Sequence, residues 1–244
     1  MATEVQRPSF YALEAGGWRD YVTLLHLPYT AWHLSYVAIG AALAPSLPLS
    51  RFLPTLAAFF LGLGIGAHAL DELNGRPLRT RIPDRVLVVL AVTSLAGAVA
   101  IGIVGALTRD LWIFAFVGAG AFAAVAYNLE LFGGRFHGDP WFALFWGSFP
   151  VLTGYFAVAG TIRIEAVAAC VFAFALSLAQ RRLSTPVRDV RRRVRRVQGR
   201  IERSDGTAQE VDADVLVGPA EGALRALTVA TVALALALVV LRLG

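Results

Sequence analysis

Long apolar runs without formal charge recur along the chain, and charged residues, prolines or turn dipeptides separate them. Each run approaches the roughly 20 residues that a helix needs to cross a bilayer. A buried helix of a soluble protein would explain one such run, but not all of them. The pattern therefore predicts an all-α, polytopic transmembrane helix bundle with about seven spans: 21–44, 52–70, 86–108, 111–129, 140–162, 165–180 and 221–241.

The polar segments between these runs divide the chain into four parts. We expect a tail at 1–20, a six-span core at 21–180, an arginine-rich loop at 181–219 and a last transmembrane helix within 220–244. The first nineteen residues contain two glutamates and no apolar core, so we expect no signal peptide there.

The arginine-rich loop carries two different periodicities. Val190, Val194, Val197 and Ile201 are spaced by four, three and four residues, which is typical of an amphipathic surface helix. After Val197 the apolar residues alternate instead, and the turn residues at 204–207 separate two alternating runs, which is typical of a β-hairpin. We predict a helix to about residue 196 and a hairpin after it. The arginines also suit a solvated face attracted to anionic lipid.

The distribution of the 22 basic residues, all arginine, predicts the orientation. If the tail and the loops after even-numbered spans share one side, that side carries 18 arginines and the other side carries 4. The positive-inside rule then predicts a multi-pass cell-membrane protein with a cytosolic amino terminus and an external carboxyl terminus. Cytosolic loops near membrane lipid explain the net charge of +5, so we expect no nucleic-acid partner. The single Cys170 excludes a disulfide within the chain.

The end of the second span has an unusual density of polar residues, at 66–82. If the helix continues, His68, Asp71 and Glu72 lie at i, i+3 and i+4 on one face. Two carboxylates and an imidazole suit a divalent cation, and we expect all three to line a cavity. Polar side chains that suit phosphate oxygens follow directly: Asn74, Arg76, Arg79 and Arg81. The alternative is a charged helix end at the water interface.

Two further polar stretches close the fourth and sixth spans. The fourth span ends with Tyr127 and Asn128, and the sixth is followed by Arg181, Arg182 and Arg188. All three polar stretches follow even-numbered spans, so they lie on the same side of the membrane. We therefore predict that they converge on one cytosolic cavity.

The histidines are too few and too scattered for a di-iron membrane oxidase. His26 and His33 are seven residues apart and share a helix face, which favours hydrogen bonds within the bundle, with a ligand role as the alternative. His137 lies in a glycine-rich loop, which favours turn chemistry over substrate contact.

Three features of residues 20–180 carry a resemblance to a known family. The first span opens with Leu24-Leu-His-Leu-Pro-Tyr29, and the acidic end of the second is followed by Asn74-Gly-Arg-Pro-Leu-Arg-Thr-Arg81. Tyr127 closes the fourth span, and the fifth contains Gly147-Ser-Phe-Pro-Val-Leu-Thr-Gly154. In these motifs the chain resembles the UbiA-type superfamily of intramembrane prenyltransferases.

The resemblance implies a UbiA-like helix bundle around a central cavity. It implies transfer of an isoprenyl group from a prenyl diphosphate to a small or lipid acceptor at the cytosolic face, with Mg²⁺ on the diphosphate. Asp71 and Glu72 would be catalytic, and together with His68 they would hold the metal. The substrate-binding residues would be Asn74, Arg76, Arg79, Arg81, Tyr127, Asn128, Arg181, Arg182 and Arg188.

The chain departs from the family pattern at both acidic motifs. Gly66 and Ala67 stand where the family has an Asn-Asp pair, and 180–188 contains no acid where the second motif belongs. We therefore expect a single acidic cluster, with a cation on Asp71 and Glu72 and guanidinium groups clamping the diphosphate. The alternative is a non-catalytic membrane protein of the same fold that binds a lipid or a protein partner.

Overall fold

The computed structural model describes residues 7–244, of which helices account for most. About 72% of these described residues are helical. Residues 7–244 form eight helices and one two-stranded sheet: α1 Trp18–Leu24, α2 Leu27–Leu43, α3 Leu49–Leu73, α4 Asp84–Thr108, α5 Ile113–Asn128, α6 Asp139–Ala159, α7 Ile164–Arg193, β1 Gly199–Glu202, β2 Ala208–Val211 and α8 Ala213–Leu243.

Five of these helices, α3, α4, α6, α7 and α8, are long and apolar enough to cross a membrane. They indicate a multi-pass membrane protein built as a helix bundle. The two remaining predicted spans correspond to shorter helices, because α2 has 17 residues and α5 has 16. The number of spans, seven, stays a prediction.

The first predicted span, 21–44, is wrong as a continuous helix. Helix α1 ends at Leu24, and His26 adopts the left-handed conformation with φ 45°. Pro28 then lies in the first turn of α2, where a missing N–H costs nothing. The break separates a short surface helix from α2, which begins at the end of the bundle where the polar residues collect.

Helix α2 is the most enclosed element of the bundle, and it packs against α6 and α8. Trp32 and Tyr36 are fully buried on it, and the Trp32 indole N–H donates to the Tyr36 hydroxyl at 2.7 Å. Ser177 of α7 also donates to the Tyr36 hydroxyl, at 3.2 Å. Buried polar groups on α2 therefore find partners inside the protein, as the lipid environment requires.

Glycines allow α2 and α6 to approach each other at backbone distance. A Cβ at Gly40 would overlap the carbonyl of Val151, and a Cβ at Gly154 would overlap the carbonyl of Val37. The contact is reciprocal, since each helix contributes one glycine and one carbonyl. Small residues at helix crossings are the usual means of close packing in membranes, where no hydrophobic force drives helices together.

Two of the long helices contain a π-helical segment. Phe60–Ala67 interrupts α3, and Ala143–Ser148 interrupts α6. The carbonyl of Trp146, within the second segment, accepts a hydrogen bond from His33 at 2.8 Å. Such widened turns re-aim the side chains that follow, and they are frequent at functional sites.

Helix α7 extends to Arg193, well beyond the predicted end of the sixth span at residue 180. Val187 and Val190 of its polar half are buried against Val217 of α8, which also begins earlier than predicted. This small apolar cluster stabilises both helices outside the bilayer-length part of the bundle. Residues 181–193 and 213–219 are therefore helical, and the non-helical part of the predicted loop is 194–212.

A β-hairpin occupies much of this shorter loop, where the alternating pattern predicts it. Gly199 pairs with Val211 and Glu202 with Ala208 in an antiparallel register. In the turn, Asp205 accepts hydrogen bonds from the N–H and hydroxyl of Thr207, and these bonds lower the pKa of the exposed Asp205 carboxyl. A helix to about residue 196 is three residues too long.

The close contact between α2 and α6 gives the first prediction. Gly40→Val should destabilise the protein by about 1–3 kcal/mol, because the added side chain forces the two backbones apart. Gly118→Val is the control, since a Cβ there would meet nothing within 4 Å. Thermal unfolding of the two variants in nanodiscs measures the difference. Equal unfolding temperatures would contradict the close contact.

Candidate functional site

A polar cavity of about 660 Å³ lies at one end of the bundle. Consecutive long helices alternate in direction, so the ends of α3, α5 and α7 meet the starts of α2 and α6. Seven of the predicted site residues line the cavity: His68, Asp71, Asn74, Tyr127, Asn128, Arg181 and Arg188. The structure thus brings together residues from all three polar stretches.

One face of α7 forms a basic wall of the cavity. Arg181, Ser184, Thr185, Arg188 and Arg192 all line it, at the three- and four-residue spacing of one helix face. The Arg188 guanidinium donates to the Thr185 hydroxyl at 3.2 Å, and no carboxylate between residues 7 and 244 pairs with it. The wall therefore presents positive charge that an anionic ligand would neutralise.

The guanidinium of Arg181 is held in place from α6. Its Nε donates to Asp139 at 2.9 Å, and its central carbon lies 5.2 Å from the centre of the Phe142 ring. The side chain is only 11% exposed. Such a fixed guanidinium costs little further conformational entropy when it binds a ligand.

The end of α3 contributes one free carboxylate and a tethered amide. The Asp71 carboxylate makes no hydrogen bond or ion pair within the part of the chain that the structure describes, and it lines the cavity. Asn74 donates to the carbonyl of Asn128 at 3.1 Å, which joins the ends of α3 and α5. Asn128 in turn donates to the carbonyl of Ala124 at 2.7 Å.

Glu72 does not line the cavity, and the prediction that it does is wrong. It is 1% exposed, and its carboxylate accepts hydrogen bonds from the N–H of Leu78 at 2.9 Å and from Thr80. Thr80 donates twice, from its N–H at 2.8 Å and its hydroxyl at 2.9 Å. Glu72 therefore folds the segment after α3 into a compact turn, and three hydrogen bonds already occupy its carboxylate.

Arg76 has a similar structural role. It adopts φ 52°, and its guanidinium donates to the carbonyls of Thr80 and Ile82 at 3.2 and 2.6 Å. It also forms an ion pair with Asp84 at the start of α4. Arg76 therefore ties the turn after α3 to α4, and it does not line the cavity, contrary to its predicted role in substrate binding.

Three other predicted arginines also lie outside the cavity lining. Arg79 is exposed and donates to the carbonyl of Arg192 at 2.9 Å. Arg81 is exposed, and its backbone N–H donates to Asp20 at 3.0 Å. Arg182 is exposed and does not line the cavity.

His68 lines the cavity as part of a stacked histidine pair. Its ring lies 4.0 Å from that of His26, with 8° between the planes. His68 Nδ1 bonds the carbonyl of Gly64 at 3.1 Å, and His26 Nδ1 bonds the hydroxyl of Tyr11 at 3.0 Å. Burial raises the pKa of Tyr11 to about 12, so this phenol stays protonated at neutral pH.

The predicted metal ligands do not form a metal site. Glu72 points into the turn, and His68 is engaged by Gly64 and His26. Among residues 7–244, no three His, Cys, Asp or Glu side chains are grouped as a metal ion would require. Of the three predicted ligands, only Asp71 remains free to bind a metal in the cavity. A single carboxylate provides too few ligands for a Mg²⁺ held by the protein alone.

Several cavity residues were not among the predicted site residues. On α7, Ser184, Thr185 and Arg192 have a signal in the sequence, since they continue the spacing of Arg181 and Arg188 once the helix is extended. The same helix also contributes Gln180, Pro186, Asp189 and Arg193. His26, His33 and His137 also line the cavity, and for each of them the sequence left a ligand or substrate contact open as the alternative. The remaining lining residues come from distant parts of the chain and have no local signal: Tyr11, Tyr29, Leu63, Ala67, Pro77, Glu130, Phe142 and Trp146.

Two buried polar atoms at the cavity have no hydrogen-bond partner within the described range. They are Nε2 of His26 and Oε1 of Gln180. An unpaired buried group costs free energy, so a bound molecule or water is the usual partner of such atoms. Both therefore mark the cavity as a place where a ligand completes the hydrogen bonding.

An apolar groove of about 500 Å³ adjoins the polar cavity. Helices α3, α4, α5 and α6 line it, and Leu63 and Trp146 belong to both the groove and the cavity. From Leu63 the groove follows α3 back to Arg51, about 18 Å at 1.5 Å per residue. The two spaces together suit a molecule with an anionic head and an apolar tail.

Comparisons with known proteins find no relative. No family model matches the chain, and neither the curated proteins nor the solved structures contain a match. The function must therefore be argued from the site itself.

Removal of the charge should affect the stability of the protein at only one of the two neighbouring acids on α3. Glu72→Gln should destabilise the protein by about 1–3 kcal/mol, because an NH₂ group replaces an oxygen that accepts a backbone N–H. Asp71→Asn should change stability by less than about 0.5 kcal/mol, since Asp71 has no such donor. Thermal unfolding of both variants measures this. A larger loss for Asp71→Asn would reverse the assignment of the two acids.

Proposed function

We propose that the protein binds a prenyl diphosphate and transfers its isoprenyl group to an acceptor, as the UbiA-type resemblance implies. The observation that carries the proposal is the junction at Leu63 and Trp146, where the basic cavity meets the apolar groove. A prenyl diphosphate has its charge at one end and its apolar chain at the other. The junction then holds the reacting carbon between them.

The diphosphate binds in the polar cavity against the basic wall of α7. Arg181, Arg188 and Arg192 face the cavity from successive turns of that helix. Guanidinium groups bind phosphate oxygens bidentately, and they stabilise the negative charge that develops as the diphosphate leaves. Arginines here take the place of the second acidic motif, which the sequence lacks.

The isoprenyl chain extends into the apolar groove. The helices that line the groove include α3, α4 and α6, which are long and apolar enough to cross a membrane, so in this proposal a lipid-soluble substrate enters the groove from the bilayer. Gly62, Gly105 and Gly120 line it, and side chains at these positions would narrow the space. Burial of the chain contributes roughly 25 cal/mol per Å² of apolar surface, which makes the tail an important part of affinity.

The transfer step uses groups at the junction. The C–O bond to the diphosphate breaks and its electron pair leaves with the diphosphate, while the acceptor nucleophile bonds to the same carbon. The rings of Tyr127 and Trp146, 5.6 Å apart, stabilise the positive charge on the isoprenyl carbon. The proton of the acceptor passes to Asp71, the carboxylate of the end of α3 that faces the cavity.

Mg²⁺ is expected from the resemblance, but we assign no step to it. Of the predicted ligands, Asp71 alone offers a carboxylate to the cavity. The positive charge that the reaction needs comes in this proposal from the arginines of α7. The cavity opens on the side that the arginine distribution assigns to the cytosol, and we place the acceptor there.

Binding of labelled prenyl diphosphates by the protein in nanodiscs tests the proposal. Arg188→Gln should weaken binding about tenfold, because a charge-assisted contact to the diphosphate is lost. Arg182→Gln is the matched control, since it removes the same charge from the exposed side of α7 and should leave affinity unchanged. The corresponding prenyl alcohol should bind both variants equally.

Three results of this experiment have different meanings. Absence of prenyl diphosphate binding by the wild type, with and without Mg²⁺, would overturn the proposal. Binding without release of diphosphate in the presence of acceptors would favour the non-catalytic alternative, a lipid-binding protein of similar architecture. Equal losses for Arg182→Gln and Arg188→Gln would show that overall charge, and not the cavity wall, binds the ligand.

A second prediction tests where the isoprenyl chain binds, independently of the diphosphate. Gly120→Leu should weaken binding of long-chain prenyl diphosphates and spare the shortest ones, because the new side chain fills the groove beside Phe149. Gly118→Leu on the same helix is the control, since Gly118 is exposed and does not line the groove. Competition assays across chain lengths measure the effect. Unchanged binding of every chain length by Gly120→Leu would place the tail elsewhere.

A further inference from the structure

A second polar cleft, of about 540 Å³, lies beside the root of the hairpin. The amino-terminal segment, the end of α7 and the start of α8 form it, and it is separate from the cavity described above. Five arginines line it: Arg7, Arg191, Arg195, Arg196 and Arg225. None of these residues contributes to the proposed prenyl transfer.

The carboxylates of this cleft are already paired with groups of the protein itself. Glu221 binds Arg191 with both oxygens, at 2.9 and 3.1 Å, and Asp214 binds the same guanidinium at 3.0 Å. The Asp212 side chain caps α8 by accepting a hydrogen bond from the N–H of Val215 at 2.8 Å. The acids of the cleft therefore neutralise Arg191 and the helix start, and not the other arginines.

The other four arginines have no carboxylate partner in the described part of the chain: Arg7, Arg195, Arg196 and Arg225. The guanidinium of Arg225 lies 5.0 Å from the centre of the Phe10 ring, which fixes its position at the edge of the cleft. The five arginines of the cleft exceed its three carboxylates by two, so the concave surface carries an excess of positive charge that attracts an anion. The cleft is thus complementary to a compact ligand with more than one negative charge.

We propose that this cleft binds a phosphate monoester group. Such a group carries about −1.5 to −2 charges at pH 7 and presents three acceptor oxygens, which matches several guanidinium forks at once. The group belongs either to the head of a membrane lipid or to a soluble phosphorylated metabolite. The chemistry that the cleft recognises is the same in both cases, and the proposal does not depend on prenyl transfer.

The test uses the full-length protein in nanodiscs of phosphatidylcholine. One arm titrates soluble glycerol 3-phosphate by calorimetry. The other arm measures retention of phosphatidic acid, whose head is a phosphate monoester, against phosphatidylglycerol, whose head is a diester. Binding of the soluble probe identifies a metabolite site, and selective retention of phosphatidic acid identifies a lipid site. The proposal is overturned if glycerol 3-phosphate does not bind and phosphatidic acid is retained no better than phosphatidylglycerol.

Paired double variants show whether the cleft itself is responsible. Arg195→Gln with Arg196→Gln should weaken binding at least about tenfold, through loss of charge-assisted hydrogen bonds. Arg200→Gln with Arg203→Gln removes the same charge from the exposed hairpin and should leave binding unchanged. Arg225→Gln, on α8, replaces the first pair if that pair does not fold. Equal losses of affinity in the cleft and hairpin variants would show that the binding is non-specific electrostatic attraction, which would contradict the proposal.

Discussion

The bundle depends on the close crossing of α2 and α6, where each helix places a glycine against a carbonyl of the other. In a bilayer, lipid tails are as apolar as leucine side chains, so helices associate through close packing and internal hydrogen bonds. This crossing lets α2 occupy the middle of the bundle. It also sets His33 within hydrogen-bonding distance of the π-helical turn of α6, at the carbonyl of Trp146. The positions of His33 and Trp146 in the lining of the polar cavity are therefore a consequence of helix packing.

The polar groups at this end of the bundle divide into those that hold the fold and those that remain available. Glu72 and Arg76 satisfy the backbone of the turn after α3, and Arg191 joins α7 to α8. Asp71 and Arg188 have no carboxylate or backbone partner of this kind. A charge that is already bound costs much to recruit, since its existing hydrogen bonds must break. Charged groups without a structural partner, and not the total number of charges, therefore support the assignment of a ligand site.

Apolar run length and turn residues were sufficient to predict the helical class, most of the helices and the hairpin. They could not show that α2 is broken from α1, because the left-handed conformation of His26 has no simple sequence signal. The convergence of three polar stretches followed from the alternation of helix direction. Which acid faces the cavity did not, because Asp71 and Glu72 are adjacent and the hydrogen bonds from Leu78 and Thr80 decide between them. The contributions of Tyr11 and Gln180 depend on tertiary packing alone.

A turn before α1, closed by the hydrogen bond from the Ala12 N–H to the Ser9 carbonyl at 3.1 Å, lies between the two polar compartments. Phe10 lines the arginine cleft and its neighbour Tyr11 lines the polar cavity, and their rings meet edge to face at 5.2 Å. Phe10 and Tyr11 are the two central residues of this turn, and their side chains point into different compartments. Unwinding of the turn would move both rings. The two compartments therefore share this turn as a wall, and a change in its conformation would alter the shape of both.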